Sequence, residues 1–275
     1  MDAEFLATAP RLRFIQQPSV GYQHIDLGAC TDRGVLVANT PGVNDAAVAE
    51  HTLMFALMLL RHASAAHERT RQGQWAQHEL MWDLGVRELC GKTFGIIGMG
   101  RIGRELARRL VAFQTRTLYY DPVRLPQEVE SELHVTYKPL DHLLRLADVV
   151  SLHVPLTPET RGLLNAEKLA LMKFDAVLIN VARGECVDEA ALAKRLRERK
   201  LGGAGVDVFS TEPIAADHPL LGIDNVVLTP HIAGATAEVR ERVAAMAVGN
   251  LACVLACKSP DHVLNPQALS ARSNT

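Results

Sequence analysis

The stretch from residue 93 to 104 limits the possible folds of this chain more than any other. An apolar run of strand character, Thr93 to Ile97, leads straight into Gly98-x-Gly100-x-x-Gly103. Ile102, Leu106, Leu110 and Phe113 then recur at helical spacing. Strand, glycines and helix in that order are the setting in which this motif binds a dinucleotide. The first glycine allows the tight turn, the second lets a pyrophosphate approach the backbone, and the third lets the helix pack close to the strand. The helix N-terminus then offers its amides to the phosphates. A second strand, residues 117–120, ends at Asp121, 18 residues beyond Gly103. The acid that binds the adenosine ribose in such units stands ~20 residues on. A carboxylate there repels a 2′-phosphate, so the pattern favours NAD over NADP.

With 275 residues the chain suits one large or two modest domains with a substantial core. Lys+Arg 29 against Asp+Glu 31 gives a net charge of −2, and no basic run points to nucleic acid or an anionic membrane. The acidic start, Met1-Asp2-Ala3-Glu4, is unlike a secretory signal, and the most apolar stretch, residues 52–60, is too short to span a bilayer. Five scattered cysteines without a C-x-x-C pair fit reduced, mostly buried thiols in a cytoplasmic protein. Cys253 and Cys257 could share a helix face, but without nearby partner ligands no metal site is expected.

Taken in order, residues 12–16 read as a strand, 27–33 as a short helix stopped by Gly34, and 35–38 as the next strand. This alternation implies βα units and a parallel sheet. After Thr40-Pro41-Gly42, Asn44 or Asp45 caps a long helix running to about Gln72. Its middle is apolar nearly all round, which predicts burial on several sides at a subunit or domain interface. Beyond Asp121, helices are expected over 140–146, 166–172, 189–200 and 236–257, and strands over 149–153, 176–180, 204–208 and 225–228. Glu189, Lys194 and Arg195 read as a solvated helix face. Only the tail after Gln267 is expected to be mobile.

Three polar groups follow predicted parallel strands, at the sheet edge where open α/β folds bind ligands. Arg183 follows residues 177–182, Glu212 follows Asp207-Val208-Phe209, and His231 follows Thr229-Pro230. Taken singly, each has an ordinary explanation: a surface charge, a turn residue before proline, a structural histidine. In three successive strand-end loops after a dinucleotide motif, they suit hydride transfer between nicotinamide and a 2-oxo acid. A guanidinium holds a carboxylate in bidentate fashion and polarises the adjacent carbonyl. An imidazole gives or takes the hydroxyl proton, and a neighbouring carboxylate fixes its tautomer and favours its charged form. His153 reads as a wall of the cofactor pocket, and His24, His51 and His62 as structural or solvent-facing.

The chain resembles the D-isomer-specific 2-hydroxyacid dehydrogenases. The similarity rests on Gly95-Ile96-Ile97-Gly98-Met99-Gly100-Arg101-Ile102-Gly103, Tyr119-Tyr120-Asp121-Pro122, Leu152-His153-Val154-Pro155-Leu156-Thr157, Ile179-Asn180-Val181-Ala182-Arg183-Gly184, Val206-Asp207-Val208-Phe209 with Glu212-Pro213, and Thr229-Pro230-His231-Ile232-Ala233-Gly234. Val20-Gly21-Tyr22 with Ile25-Asp26 and Asn39-Thr40-Pro41-Gly42 extend it upstream. The resemblance implies an α/β protein: a Rossmann-type doubly wound parallel sheet plus an incomplete flavodoxin-like substrate domain. The NAD-binding domain would occupy residues 41–235, with its interface helix near 44–72, and the substrate domain 1–40 and 236–275. It implies Arg183, Glu212 and His231 as the catalytic trio, with the Val20 and Gly21 backbone, Arg183 and His231 on the substrate. Arg101 and Ile102 would join Gly98, Gly100 and Gly103 at the pyrophosphate, and Asp121 would take the ribose. His153, Val154, Pro155, Thr160, Val181, Ala182, His231 and Gly234 would flank the cofactor, and Asp207 would bind the nicotinamide carboxamide. It further implies NAD as cofactor and a homodimer through the nucleotide-binding domain. Formate dehydrogenases of the family carry Gln where Glu212 stands, which disfavours that activity.

One departure stands out. Family members begin with several βα units, whereas this chain opens just before one of the last strands of that domain. At ~30 residues per βαβ unit, the difference is roughly 50 or 60 residues. The expectation is either a gene start placed too late or a product with an exposed, weakened sheet edge. Gln114, where the family often has Gly, should have no functional consequence. Two alternatives remain to the NAD-dependent dehydrogenase. One is NADPH-linked glyoxylate or hydroxypyruvate reduction, kept open by Arg124 close to Asp121. The other is a catalytically impaired, NAD-binding interaction protein.

Overall fold

A computed structural model describes residues 1–268, and their chain contacts divide into two units. Unit 1 comprises Met1–Asn44 and the chain from Ala235 onward; unit 2 is Asp45–Gly234.

Unit 1 opens with α1 (Ala3–Ala7), β1 (Phe14–Gln16), α2 (Leu27–Asp32) and β2 (Leu36–Ala38). Both short helices start at aspartates whose side chains accept from a backbone amide three residues on, Phe5 N for Asp2 and Ala29 N for Asp26. β1 and β2 pair in parallel, Phe14 opposite Leu36. The other edge of β2 is covered too: Ala38 bridges Val263 in antiparallel sense, and Asn265 Oδ1 accepts from Val37 N at 2.8 Å. Leu6, Ile15, Ile25, Cys30, Val35 and Val37 form a small core of their own.

Unit 2 begins with α3 (Asp45–Leu60) and α4 (Ala63–Arg71). The single helix expected to reach Gln72 is therefore two. His62 adopts φ 47°, a left-handed conformation that stops α3, and the Leu60 carbonyl accepts from Arg87 N instead of from a further turn. Ten of the sixteen α3 residues are buried, while α4 buries none. A short π-helical turn, Glu79–Asp83, follows.

The main sheet of unit 2 contains β3 (Thr93–Ile97), β4 (Arg116–Tyr120), β5 (Val135–Tyr137), β6 (Val149–Leu152), β7 (Val177–Asn180), β8 (Gly203–Val206) and β9 (Val226–Leu228). All seven run parallel, in the order β5-β4-β3-β6-β7-β8-β9. The intervening helices are α5 (Arg101–Ala112), α6 (Gln127–Glu132), α7 (Leu140–Leu146), α8 (Ala166–Ala170) and α9 (Glu189–Arg197). Because helices cover both faces, the strands are apolar at nearly every position. Phe94, Ile96, Tyr119, Val177 and Ile179 face a core shared with α3 and α5. Ile97, Leu118, Val150, Leu152 and Leu178 face one shared with α7, α8 and α9. This is the doubly wound parallel sheet that the sequence implies.

The last helix, α10 (Ala237–Leu255), belongs to unit 1. Its Asn250 is buried and bonded to Gln16 Oε1 at 2.7 Å and to Asp261 N at 2.8 Å. Cys257 lies beyond the helix with φ 55°, so it shares no helix face with Cys253. Nor are the thiols mostly buried: Cys30 and Cys186 are, Cys90 and Cys257 are exposed, and Cys253 is half-buried. Of the tail expected to be mobile, Ala268 is buried and residues 269–275 lie outside the described residues. Among the described residues, no helix is long and apolar enough to cross a membrane.

Candidate active site

The carboxyl edge of the unit 2 sheet gathers most of the residues singled out from sequence. At the end of β3 the three glycines meet different demands. Gly98 has φ +97°, and a Cβ there would lie 2.7 Å from the His153 carbonyl oxygen. A Cβ on Gly103 would lie 2.3 Å from Gly98 O, so α5 can start this close to the strand only without one. A Cβ on Gly100 would meet nothing within 4 Å. Packing does not require that glycine, and the bare backbone leaves room for a phosphate at the helix N-terminus.

Asp121, at the end of β4, is tied to this turn: Oδ2 accepts from Met99 N at 2.8 Å and Oδ1 from Val123 N at 3.0 Å. Three residues on, Arg124 pairs with Glu130 through Nε at 2.8 Å and Nη2 at 3.0 Å, and lies 5.5 Å over the Tyr137 ring. Glu130 also accepts from Tyr119 Oη at 2.6 Å. Arg124 and then Tyr119 hold its carboxyl down to about 2. The guanidinium that keeps NADPH open is thus already engaged. Arg101 donates from Nε to Asp45 Oδ2 at 2.7 Å, and Ile102 packs against the core behind it.

His153 follows β6, next to β3, and its backbone amide donates to Ile97 O at 2.7 Å. Its Nε2 lies 2.9 Å from Ser151 Oγ, while Nδ1 is buried with no partner among the described residues. The residue keeps some surface, but burial of the ring pushes its pKa down to about 3. Val154 packs on the core beside it, and the Pro155 carbonyl accepts from Thr160 Oγ1 at 2.7 Å, which folds the loop back.

The remaining residues come from β7, β8 and β9, three adjacent parallel strands whose following loops emerge side by side. Val181 and Ala182 are buried after β7. Asn180 turns the chain there, its Oδ1 accepting from Ala182 N at 3.1 Å and its Nδ2 donating to Arg183 O at 2.9 Å. Arg183 donates from Nη1 to Ala182 O at 2.6 Å. The next residue, Gly184, sits so close to the loop after β8 that a Cβ would fall 2.0 Å from Phe209 C and 2.1 Å from Ser210 N. That second loop carries Glu212, whose Oε1 accepts from Phe209 N at 3.0 Å. Its Oε2 lies 2.7 Å from His231 Nδ1. A carboxylate only accepts, so Nδ1 carries the ring proton and Nε2 is left for a ligand. Both side chains remain reachable, His231 50% and Glu212 36% exposed.

His231 sits at φ 55°, a backbone state rare outside glycine. Its amide donates to Asp207 O at 2.8 Å. The Asp207 carboxylate is wholly buried and accepts from Thr229 Oγ1 at 2.5 Å, Ile232 N at 2.8 Å and Ala233 N at 2.9 Å. Gly234 closes the turn and the unit. Val20 and Gly21 belong to unit 1; their carbonyls accept from Asn39 Nδ2 at 2.9 Å and Gln17 Nε2 at 2.7 Å.

Several contributors escape the sequence reading. Glu189 is not on a solvated face: its side chain is 11% exposed and accepts from Ser210 N at 2.9 Å, Ser210 Oγ at 2.5 Å and His218. It pins the Glu212 loop, a long-range role invisible to helical periodicity. Asn180 could have been found, since an amide closing an apolar strand needs local partners. Of the two roles left open for His51, the structural one fits, with a side chain 11% exposed and Nε2 3.1 Å from Thr229 Oγ1, but its partner is invisible to the sequence.

A glycine turn built for phosphates, one strand away from a half-buried histidine and four from a carboxylate-held imidazole, defines a nucleotide-dependent oxidoreductase of the α/β class. Comparison with known proteins narrows this. The family model for the D-isomer specific 2-hydroxyacid dehydrogenase NAD binding domain matches residues 53–233. A glyoxylate reductase of Thermofilum pendens is 45% identical over 273 residues, covering 99% of this chain and 80% of that one. A crystal structure from Thermus thermophilus superposes with a TM-score of 0.89 at 42% identity, covering 96% and 82%. D-Lactate dehydrogenase from Aquifex aeolicus, solved with NAD and lactic acid, gives 0.83 at 36%, covering 94% and 80%. The chain belongs to the D-isomer-specific 2-hydroxyacid dehydrogenase family, NAD-dependent oxidoreductases that transfer hydride between 2-hydroxy and 2-oxo acids. Its own residues fit the cofactor: the open Gly100, Asp121 beside the turn and the unpartnered Nδ1 of His153 all accommodate a dinucleotide.

Proposed function

We propose that the protein reduces a small 2-oxo acid of glyoxylate size to its hydroxy acid, with Arg183, Glu212 and His231 as the catalytic residues. The observation that carries this reading is the 2.7 Å His231–Glu212 pair, joined through Gly184 and Phe209 to the loop that presents Arg183. The substrate class follows from the glyoxylate reductases that share 41–45% of the sequence. Bound NADH supplies the hydride. Arg183 holds the substrate carboxylate and polarises the neighbouring carbonyl, its fork steadied by the Nη1 bond to Ala182 O. In the same direction His231 gives a proton from Nε2 to the carbonyl oxygen, and in the reverse direction Nε2 takes it back. Glu212, on Nδ1, keeps the proton on that nitrogen and balances the imidazolium. Unit 1 acts as the substrate domain, and the Val20 and Gly21 amides, whose carbonyls are already held, bind the carboxylate. Gly98 to Gly103, Asp121, His153 to Pro155, Thr160, Val181, Ala182, Asp207 and Gly234 hold NAD(H). The Arg124–Glu130 pair supports NADH over NADPH. The free cysteines suit a reducing cytoplasm. The exposed Trp75, Met81, Trp82 and Leu84 suit a homodimer through unit 2.

The test is a panel of glyoxylate, hydroxypyruvate and pyruvate with NADH and NADPH. Turnover with NADH, reduced ~10²- to 10⁴-fold in kcat by His231→Ala, is the expected result. NADH binding without turnover of any acid would instead mark an interaction protein.

A further inference from the structure

The turn that presents His231 is braced from behind by a histidine on a different element. We propose that His51 is a positioning residue for the His231 turn, acting through Thr229 and Asp207; the inference rests on the catalytic role proposed for His231. His51 lies on α3, with Nε2 3.1 Å from Thr229 Oγ1 and 3.8 Å from Asp207 Oδ1. Thr229 Oγ1 is itself 2.5 Å from Asp207 Oδ1. A hydroxyl has one proton to give and a carboxylate can only accept, so Thr229 donates to Asp207 and accepts from His51. The chain has one direction: His51 Nε2–H to Thr229 Oγ1–H to Asp207. It fixes the tautomer of His51.

The carboxylate at its end holds the amides of Ile232 and Ala233, on one side of His231, while the Asp207 carbonyl holds the amide of His231 itself. Asp207 thus grips a residue at φ 55° from two directions, and a conformation this sparsely populated persists only where its surroundings over-determine it. His51 is anchored in turn. Its ring meets Phe55 edge-on at 4.6 Å, and Phe55 fills the space where Gly205 of β8 lacks a Cβ. Burial lowers the pKa of the ring, against the opposing pull of Asp207, so it stands as a neutral donor.

The experiment compares His51→Ala, His51→Gln, Thr229→Val and the His51→Ala/Thr229→Val double variant with the wild type. Gln places an amide N–H where Nε2–H stood. His51→Ala should lose roughly 10- to 100-fold in kcat, with the KM for the 2-oxo acid and the Kd for NADH within about twofold. His51→Gln should recover most of the loss. The double variant should be no worse than Thr229→Val alone, since both cut one link. A loss that falls on KM or NADH binding, additive effects, or no recovery with Gln overturns the proposal. A wild type that turns over none of the acids sinks the catalytic reading instead. The inference is then decided by ¹⁵N spectra of the imidazoles and by the His231 backbone resonances. Nε2–H at His51, with His231 resonances shifted in His51→Ala and restored in His51→Gln, supports it; Nδ1–H, or unshifted resonances, overturns it.

Discussion

At the end of β6, burial makes His153 refuse a proton that the unfolded chain would take. Its folded-state pKa is pushed down to about 3, against ~6.5 unfolded, so the folded form binds fewer protons between those values. Stability is then level above ~6.5 and falls as pH drops towards 3, by at most ~1.4 kcal/mol per pH unit. His51, also lowered by burial, adds in the same direction. For the cofactor-free protein, His153→Asn should shrink the difference in Tm between pH 7 and pH 5 by roughly 5 °C. An unchanged difference in differential scanning fluorimetry would remove His153 from the acid response. The residues after strands were legible because chemistry at a sheet edge draws on few residue types. Their supports were not: Glu189 and His51 act across 21 to 178 residues of sequence, on partners no local pattern names.

Elements read well where apolar residues mark them with a period or a run, and poorly where polar residues dominate. α7 falls on residues 140–146 as expected, and β4 and α10 lie within two residues of their sequence limits. α6 and β5 escape the sequence reading, since Gln127–Glu132 carries one apolar residue, Val129, and Val135–Tyr137 follows with no apolar run around it. The sequence over 44–72 reads as one helix because its polar second half still has helical propensity; only the backbone at His62 reveals the break. The glycine turn into α5 separates two kinds of glycine. Gly103→Ala forces a Cβ to 2.3 Å from Gly98 O and should cost about 1–3 kcal/mol or more, seen as a lower Tm or loss of soluble protein. Gly100→Ala meets open space, so Tm should hold within about 2 °C while the NADH Kd rises at least about tenfold. Equal NADH affinity for Gly100→Ala and wild type in fluorescence titration would show that the phosphates do not pass there.

At the largest scale, the seven-stranded order of unit 2 brings the glycine turn and three polar loops to one edge. The subunit pairing proposed above would use Trp75, 82% exposed, and Trp82, 68% exposed, beside α4, which buries nothing. Trp75→Ser with Trp82→Ser should weaken a dimer at least about 100-fold while NADH binding persists. Sedimentation velocity at micromolar concentration decides it: a wild-type monomer, or a double variant that still dimerises fully, removes this surface as the interface. The apolar circumference of α3 suggested an interface helix, yet it is already enclosed by its own unit, with Met54 at 37% its one exposed large hydrophobe. On the proposed pairing, folding and assembly are therefore separable events. A lone polypeptide could then complete its nucleotide-binding half before meeting another copy, and dilution should part such copies without melting either.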